Sequence, residues 1–196
     1  MFVQLIQGHT SDKEGLRRQL DRWLSEVRPG AKGFLGATGG VTDDGESFMA
    51  ARFESEEAAR VNSDRPEQSA WWSDTAKLFD GDVSFVDSSD VDVQVEPSNE
   101  AGFVQVIQST ALDRNRIEAI NAKVGPAMTE SRPEIVGAVS VWSGDRVCDI
   151  AYFTTEEAAR AGEKKELPEA HRKMFEEWQS LIQGATYLDI KDPWLY

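Results

Sequence analysis

One cysteine, Cys148, is all the chain has, so no disulfide can form within it. That fits a reducing compartment, and a cytoplasmic setting is the expectation. Histidine is nearly as scarce, with His9 and His171 alone. No H-x-x-x-H, C-x-x-C or H-x-E spacing occurs, so no metal site is expected. No glycine-rich phosphate loop follows a strand pattern, and two histidines so placed do not build a Ser-His-Asp set. Long apolar runs are missing too: none reaches the roughly 18 residues needed to span a bilayer. The opening Met1-Phe2-Val3-Gln4-Leu5-Ile6-Gln7 has no basic flank and reads as a strand, not a signal peptide. Basic charge is in deficit, with 21 Lys and Arg against 35 Asp and Glu and a net charge of −14. No Lys/Arg cluster offsets it, so neither nucleic acid nor a membrane surface is expected as a partner. The acidity itself serves solubility.

What is present is the composition of a folded protein: 196 residues, 40% apolar and 29% charged. It has room for two domains of about 100 residues. The chain repeats itself. Phe2-Val3-Gln4-Leu5-Ile6-Gln7 returns as Phe103-Val104-Gln105-Val106-Ile107-Gln108, and Gly36-Ala37 as Gly137-Ala138. Phe53-Glu54-Ser55-Glu56-Glu57-Ala58-Ala59-Arg60 returns as Phe153-Thr154-Thr155-Glu156-Glu157-Ala158-Ala159-Arg160. Pro66-Glu67 matches Pro168-Glu169, and Leu78, Gly81 and Asp87 match Leu181, Gly184 and Asp189. So many matches in one order are not chance; they mark a tandem duplication, with repeats at 1–95 and 102–196.

Each repeat reads as βαββαβ. Phe2–Gln7 is a β-rich run of strand length. Ser11-Asp12-Lys13-Glu14 has the form of a capping box led by the serine, and Leu16, Leu20, Trp23, Leu24 and Val27 follow as a helical stripe that Pro29-Gly30 ends. Phe34–Val41 and Phe48–Phe53 are strands around the turn signal Asp43-Asp44-Gly45. Ser55 caps a second helix, Pro66 breaks or restarts it, and Val83–Val86 forms a fourth strand that Val91–Val95 extends. The second repeat has Ile117, Ile120, Val124 and Met128 on its first helix and Gly144-Asp145 in its hairpin. This order is the ferredoxin-like split βαβ unit, with helices on one face of an antiparallel sheet. The other face is also apolar: Phe2 and Ile6 oppose Val3 and Leu5 along one strand. A sheet apolar on both faces needs cover on both, and the other repeat is the obvious cover. The expected fold class is therefore α+β, two repeats whose sheets pack face to face within one chain, working as a monomeric pseudo-dimer.

With Phe2–Gln7, the Phe53-x-Ser-Glu-Glu-Ala-Ala helix start and Trp71-Trp72 in view, the chain resembles the dimeric α+β barrel superfamily, and within it the antibiotic biosynthesis monooxygenase-like domains. The resemblance covers nearly the whole chain, twice. It implies a small-molecule pocket and, in one branch, a cofactor-independent monooxygenase acting on an aromatic or polyketide-like substrate; a non-catalytic ligand-binding or structural protein is the alternative. The haem-degrading branch uses an Asn on the first strand with a Trp and a His on the second helix. Neither repeat has that set, and no cofactor is expected.

The candidate ligand-binding residues are Gln4, Arg52, Asn62, Trp71 and Trp72; no catalytic residue is assigned. Gln4 and Gln105 hold equivalent mid-strand places, where a buried amide needs a partner; a structural bond between the halves competes with a pocket role. Trp71 and Trp72 point about 100° apart on their helix, so one can be core while the other lines a cavity suited to a flat aromatic ligand. Asn62 lies at the helix break, where capping is the plainer role. Arg52 could anchor an acidic ligand, or simply meet solvent. Trp142, Tyr152, His171 and Trp178 form the parallel set of the second repeat, with His171 read as an exposed helix residue. The working pocket is expected in the first repeat, the second being mainly structural. Trp194 and Tyr196 are expected to dock on the body rather than fray.

Overall fold

The computed structural model describes residues 1–166 and 169–196, and their side chains apart from those of 124–130 and 170. The elements in chain order are β1 (Phe2–His9), α1 (Lys13–Arg22), β2 (Phe34–Val41), β3 (Glu46–Phe53), α2 (Glu56–Ser63), α3 (Pro66–Thr75), β4 (Ser84–Ser88) and β5 (Val91–Val95). They continue with β6 (Phe103–Ala111), α4 (Arg114–Ser131), β7 (Ile135–Ser143), β8 (Arg146–Phe153), α5 (Glu156–Glu163), α6 (Glu169–Ser180), β9 (Ile182–Ile190) and β10 (Trp194–Leu195). The Val124 and Met128 side chains and Pro168 lie outside the described residues. Among those described, no helix is long and apolar enough to cross a membrane.

The chain forms two compact α+β units, Met1–Ser89 with Trp194–Tyr196, and Asp90–Pro193. Each holds a five-stranded sheet, ordered β10-β2-β3-β1-β4 in the first and β5-β7-β8-β6-β9 in the second. Every strand pair is antiparallel. These boundaries depart from the repeat boundaries at two strands. Val91–Val95 does not extend β4; it forms β5 at the edge of the second sheet, with Val91 opposite Val141 and Val93 opposite Val139. Such β-branched cross-strand pairs stabilise that register. The tail strand β10 docks as expected, on the edge of the first sheet, with Trp194 opposite Gly39 and Leu195 opposite Thr38.

In the first unit Phe2, Phe53 and Ala59 pack where α2 crosses the sheet, and Leu16, Leu20, Val41 and Trp194 pack under α1. The second unit repeats the first cluster as Phe103, Ile135, Phe153 and Ala159, and builds a second from Ala111, Ile117, Trp142 and Val147. Ser55 and Thr155 cap α2 and α5, accepting from the Ala58 and Ala158 amides at 3.1 and 3.0 Å. The cap of α1 is Asp12, not Ser11: its carboxylate accepts from Gly15 N at 2.8 Å, while Ser11 donates to Asp80. A carboxylate is the better acceptor at the positive end of a helix. The stripe predicted for this helix runs on past α1 through a π-turn over Trp23–Val27 to Gly30.

The sheet also bulges alike in both units, between Phe34 and Gly36 and between Ile135 and Gly137. At Gly36 the glycine is required. Its φ is +153°, and a Cβ there would lie 2.3 Å from the Tyr196 carbonyl oxygen. Next to it, Ala37 and Tyr196 exchange backbone hydrogen bonds of 2.9 Å. Gly36→Ala is expected to lose about 1–3 kcal/mol in urea unfolding, with faster amide exchange at Tyr196. An unchanged midpoint would show that the tail is not seated there.

Candidate functional site

Alternation along the strands decides what each sheet presents to its helices. In the second unit Gln105, Ile107, Asp149, Ala151 and Phe153 face the helix side, because residues directly opposite in the ladder share a face. Between this face and α4, α5 and α6 lies a cavity of about 750 Å³. That is within the roughly 300–1,000 Å³ of small-molecule sites. Ile107, Ala138 and Ala151 form part of its floor; Met174, Phe175 and Trp178 line it from α6. Phe175 and Trp178 stack at 6.2 Å with an interplanar angle of 12°. Phe175 is 49% exposed and Tyr187, also on the lining, 57%, so aromatic rings rim an opening to solvent.

One row crosses the whole sheet on this face: Asp92, Ser140, Asp149, Ile107 and Tyr187, one residue from each of β5, β7, β8, β6 and β9. Ser140 donates its hydroxyl to Asp149, and the Gln94 amide donates to the Ser140 oxygen at 2.9 Å. Burial pushes the Asp149 carboxyl up to about 6, against the Ser140 hydrogen bond, which favours the charged form; the charge of Asp92 adds to the rise. Asp149 lines the cavity, and the residue as a whole is partly exposed. Its neighbour Cys148 points to the opposite face, opposite Gln108. Burial, with the nearby Asp149 charge, raises its thiol to about 12, so it stays protonated and unreactive at neutral pH.

The same row in the first unit reads Trp194, Gly39, Met49, Ile6 and Phe85. A Cβ on Gly39 would meet the Met49 sulfur at 2.8 Å. Where the second unit sets a carboxyl and a hydroxyl, the first sets a thioether over a glycine. An acid amid the apolar strand residues Val147, Cys148, Ile150 and Ala151, in register with Met49 of the other repeat, is the available sign of Asp149, and strand reading alone passes over it.

A second polar group sits on the cavity floor. Gln105 donates to Asp189 at 2.9 Å, and Arg160 pairs with Asp189 and with Glu163. The first repeat keeps the amide bond, Gln4 to Asp87 at 2.9 Å. The glutamine partner is thus the fourth-strand aspartate of the same unit, where a bond between halves was one expectation; a mid-strand amide reaches the adjacent strand directly.

The other first-unit candidates are placed as follows. Asn62 is buried, donates to Gln68 at 3.3 Å and accepts from Arg65 at 3.1 Å. Gln68 also accepts from Trp23 at 2.7 Å. Trp71 donates to the Gln19 carbonyl at 2.7 Å and meets Trp23 edge-on at 6.3 Å. Trp72 packs on Phe79 and Phe85. Asn62 and Trp71 therefore belong to one neighbourhood, through Gln68 and Trp23. Arg52 does not join Gln4: it is opposite Val3, on the other sheet face, with its Nε unpartnered. The cavity described above lies in the second unit. Met174 and Phe175, which align with Trp71 and Trp72, line it, as do His171 and Trp178; His171 is half-buried, not an exposed helix residue. Trp142 is core and donates to Asp92 at 3.2 Å, and Tyr152 is buried on the opposite face. Among the described residues no cluster of side chains could hold a metal ion.

No family model matches the sequence, and no curated protein matches it. Solved structures do. A provisionally named monooxygenase from Lactobacillus acidophilus superposes with a TM-score of 0.73 at 12% identity, covering 100% of this chain and 98% of that one. Another from Fusobacterium nucleatum gives 0.74 at 8% identity, covering 99% and 93%. An anthrone oxidase-like protein gives 0.65 at 10%, covering 99% and 92%. At such identities the likeness establishes the fold alone, and the resemblance read from the sequence holds at that level: an α+β chain of ferredoxin-like units.

Proposed function

We propose that a monooxygenase-type ferredoxin-like scaffold here serves a cofactor-independent oxygenation, carried out in the second-unit cavity with Asp149 as the general base. The observation that carries this reading is a carboxyl with its pKa near 6, hydrogen-bonded by Ser140 and facing an aromatic-lined cavity of about 750 Å³. A base near neutrality suits proton abstraction from a weakly acidic substrate. The walls suit a flat, electron-rich ring system, and the name of one structural neighbour, anthrone oxidase-like, supports an anthrone-type methylene as the reacting group.

Asp149 takes a proton from the activated methylene, and the resulting carbanion passes one electron to dioxygen. The radical pair combines to a peroxide anion, which takes the proton back from Asp149, and the resulting hydroperoxide eliminates water. In sum, one methylene and one dioxygen molecule become one ketone and one water molecule. Both methylene hydrogens leave in the water, one oxygen atom stays on carbon, all electrons come from the substrate, and the base is regenerated.

The test is oxygen uptake and quinone formation with 1,8-dihydroxyanthrone at pH 7, against the uncatalysed background. Catalysed uptake is expected, together with quenching of tryptophan fluorescence from Trp178. Ala151→Phe, which fills the floor, is expected to weaken binding by about tenfold or more. Binding without oxygen uptake would leave a ligand-binding protein; neither binding nor uptake would remove the cavity reading altogether.

A further inference from the structure

Beside the strands that carry the cavity carboxyl and its hydroxyl donor runs β5, a strand outside the second unit's βαββαβ order. Ladder pairing between β5 and β7 slips between Val93 and Val95, leaving Gln94 in a bulge. Bulges re-aim side chains, and this one directs the Gln94 amide at the Ser140 hydroxyl, 2.9 Å away. With one lone pair of Ser140 occupied by that donor, the Ser140 proton is directed at Asp149. Asp92 stands in the same cross-sheet row, directly opposite Ser140. β5 is itself clamped: Arg114 reaches Asp90 at 2.7 Å and lies over Trp142 at 4.6 Å, while the Trp142 backbone amide donates to the Asp90 carbonyl at 2.9 Å.

We propose that β5, the segment joining the two repeats, is the positioning element of the second-unit site: Gln94 fixes the Ser140 hydroxyl on Asp149, and Asp92 faces the same carboxyl across the row. The inference rests on the cavity reading for its functional meaning. The fifth strand then adds to the difference between the units. In the first sheet the matching strand places Trp194 opposite Gly39, an apolar ring over a residue with no side chain; in the second it brings an amide and an acid.

Other titratable groups share the cavity. From β9 come Asp189 and Tyr187, the former paired with Arg160. From the helix side come Arg132, Glu163, Lys165 and His171, while α4 contributes Ile120 and Asn121, which do not titrate. None of these hydrogen-bonds the Ser140 hydroxyl; Gln94 does.

The experiment is a pH titration of the Asp149 side-chain carbon by NMR in full-length protein labelled at aspartate, without substrate. Gln94→Leu is expected to move the Asp149 midpoint upward by about half a pH unit or more, since the charged form loses an oriented donor. Asp92→Asn is expected to move it downward, since a like charge is removed. A Gln94→Leu protein that folds and titrates as wild type overturns the positioning role. Should Gln94→Leu fail to fold, Asp92→Asn decides: a midpoint that stays or rises overturns it, and one that falls supports it. Because this readout needs no turnover, a wild-type protein that consumes no oxygen with 1,8-dihydroxyanthrone removes the oxygenase reading and leaves the role of β5 to be judged by the titration alone.

Discussion

Asp149→Asn is expected to lower 1,8-dihydroxyanthrone oxidation at pH 8 by about 100-fold or more while making the protein more stable. The kinetic effect follows from the role. A positioned base contributes on the order of 10²–10⁴ in rate, and an amide cannot take the proton though it still accepts the Ser140 hydrogen bond. The stability effect follows from burial. The folded carboxyl titrates near 6 against an ordinary value of 3.8. Between those two values the folded protein holds a proton that the unfolded chain has released, so stability falls as pH rises from about 4 to 6 and stays reduced above. At about 1.4 kcal/mol per pH unit, the upper bound is roughly 3 kcal/mol, lessened by water that enters the cavity. Asn removes that penalty. The gain in melting temperature should therefore be present at pH 8 and absent at pH 4, and wild-type oxidation should decline as pH drops through about 6. An Asn variant that oxidises at the wild-type rate, or melts lower at pH 8, would sink the assignment.

Trp194→Ala is expected to destabilise the protein by about 3–5 kcal/mol, the range for removing a large buried side chain. Trp194 is 3% exposed and packs with Leu16, Leu20 and Val41, with Leu24 and Met49 beside them. The Arg17 guanidinium lies 5.5 Å from its ring centroid, a cation–π contact that contributes about 0.5–1 kcal/mol. A two-residue strand offers few hydrogen bonds, so the indole carries most of the attachment of β10. Trp194→Phe, which keeps a ring but loses volume, should lose roughly half as much. Urea unfolding followed by circular dichroism reads both; a loss under about 1 kcal/mol for the Ala variant would mean that β10 is an ornament on the edge of the sheet.

The contrast between these two residues shows what is legible in the sequence. Trp194 is readable as a docking residue because an apolar tail has a plain physical destination. The strands and helices are readable from periodicity, from Ser55 before two acids and from Asp43-Asp44-Gly45 between apolar runs. The first helix cap falls one residue from its expected place, since Ser11 and Asp12 are both good caps and the choice depends on Asp80 drawing the serine away. Val91–Val95 is readable as a strand but not by partner: a run of alternating valines states a preference for pairing and not an edge. The site is the least legible part. Trp71, Trp72 and Asn62 stand out as large or polar groups on a helix, yet Trp71 and Asn62 are tied by hydrogen bonds to Gln19, Gln68 and Arg65. Asp149 does not stand out, because a single acid in a strand looks like a solvent-facing residue until its row is known.

Local patterns, carried by neighbours in the chain, are enough to specify the repeated βαββαβ order, the strand-forming runs and the class of fold. Which strand closes each sheet, and therefore whether a row ends in Trp194 or in Asp92 with Gln94 beside it, depends on pairing between segments distant in the chain. Ladder register and side-chain alternation act across those distances, and they bring the glutamine of β5 onto the serine and aspartate of the β7–β8 hairpin as one hydrogen-bonded group.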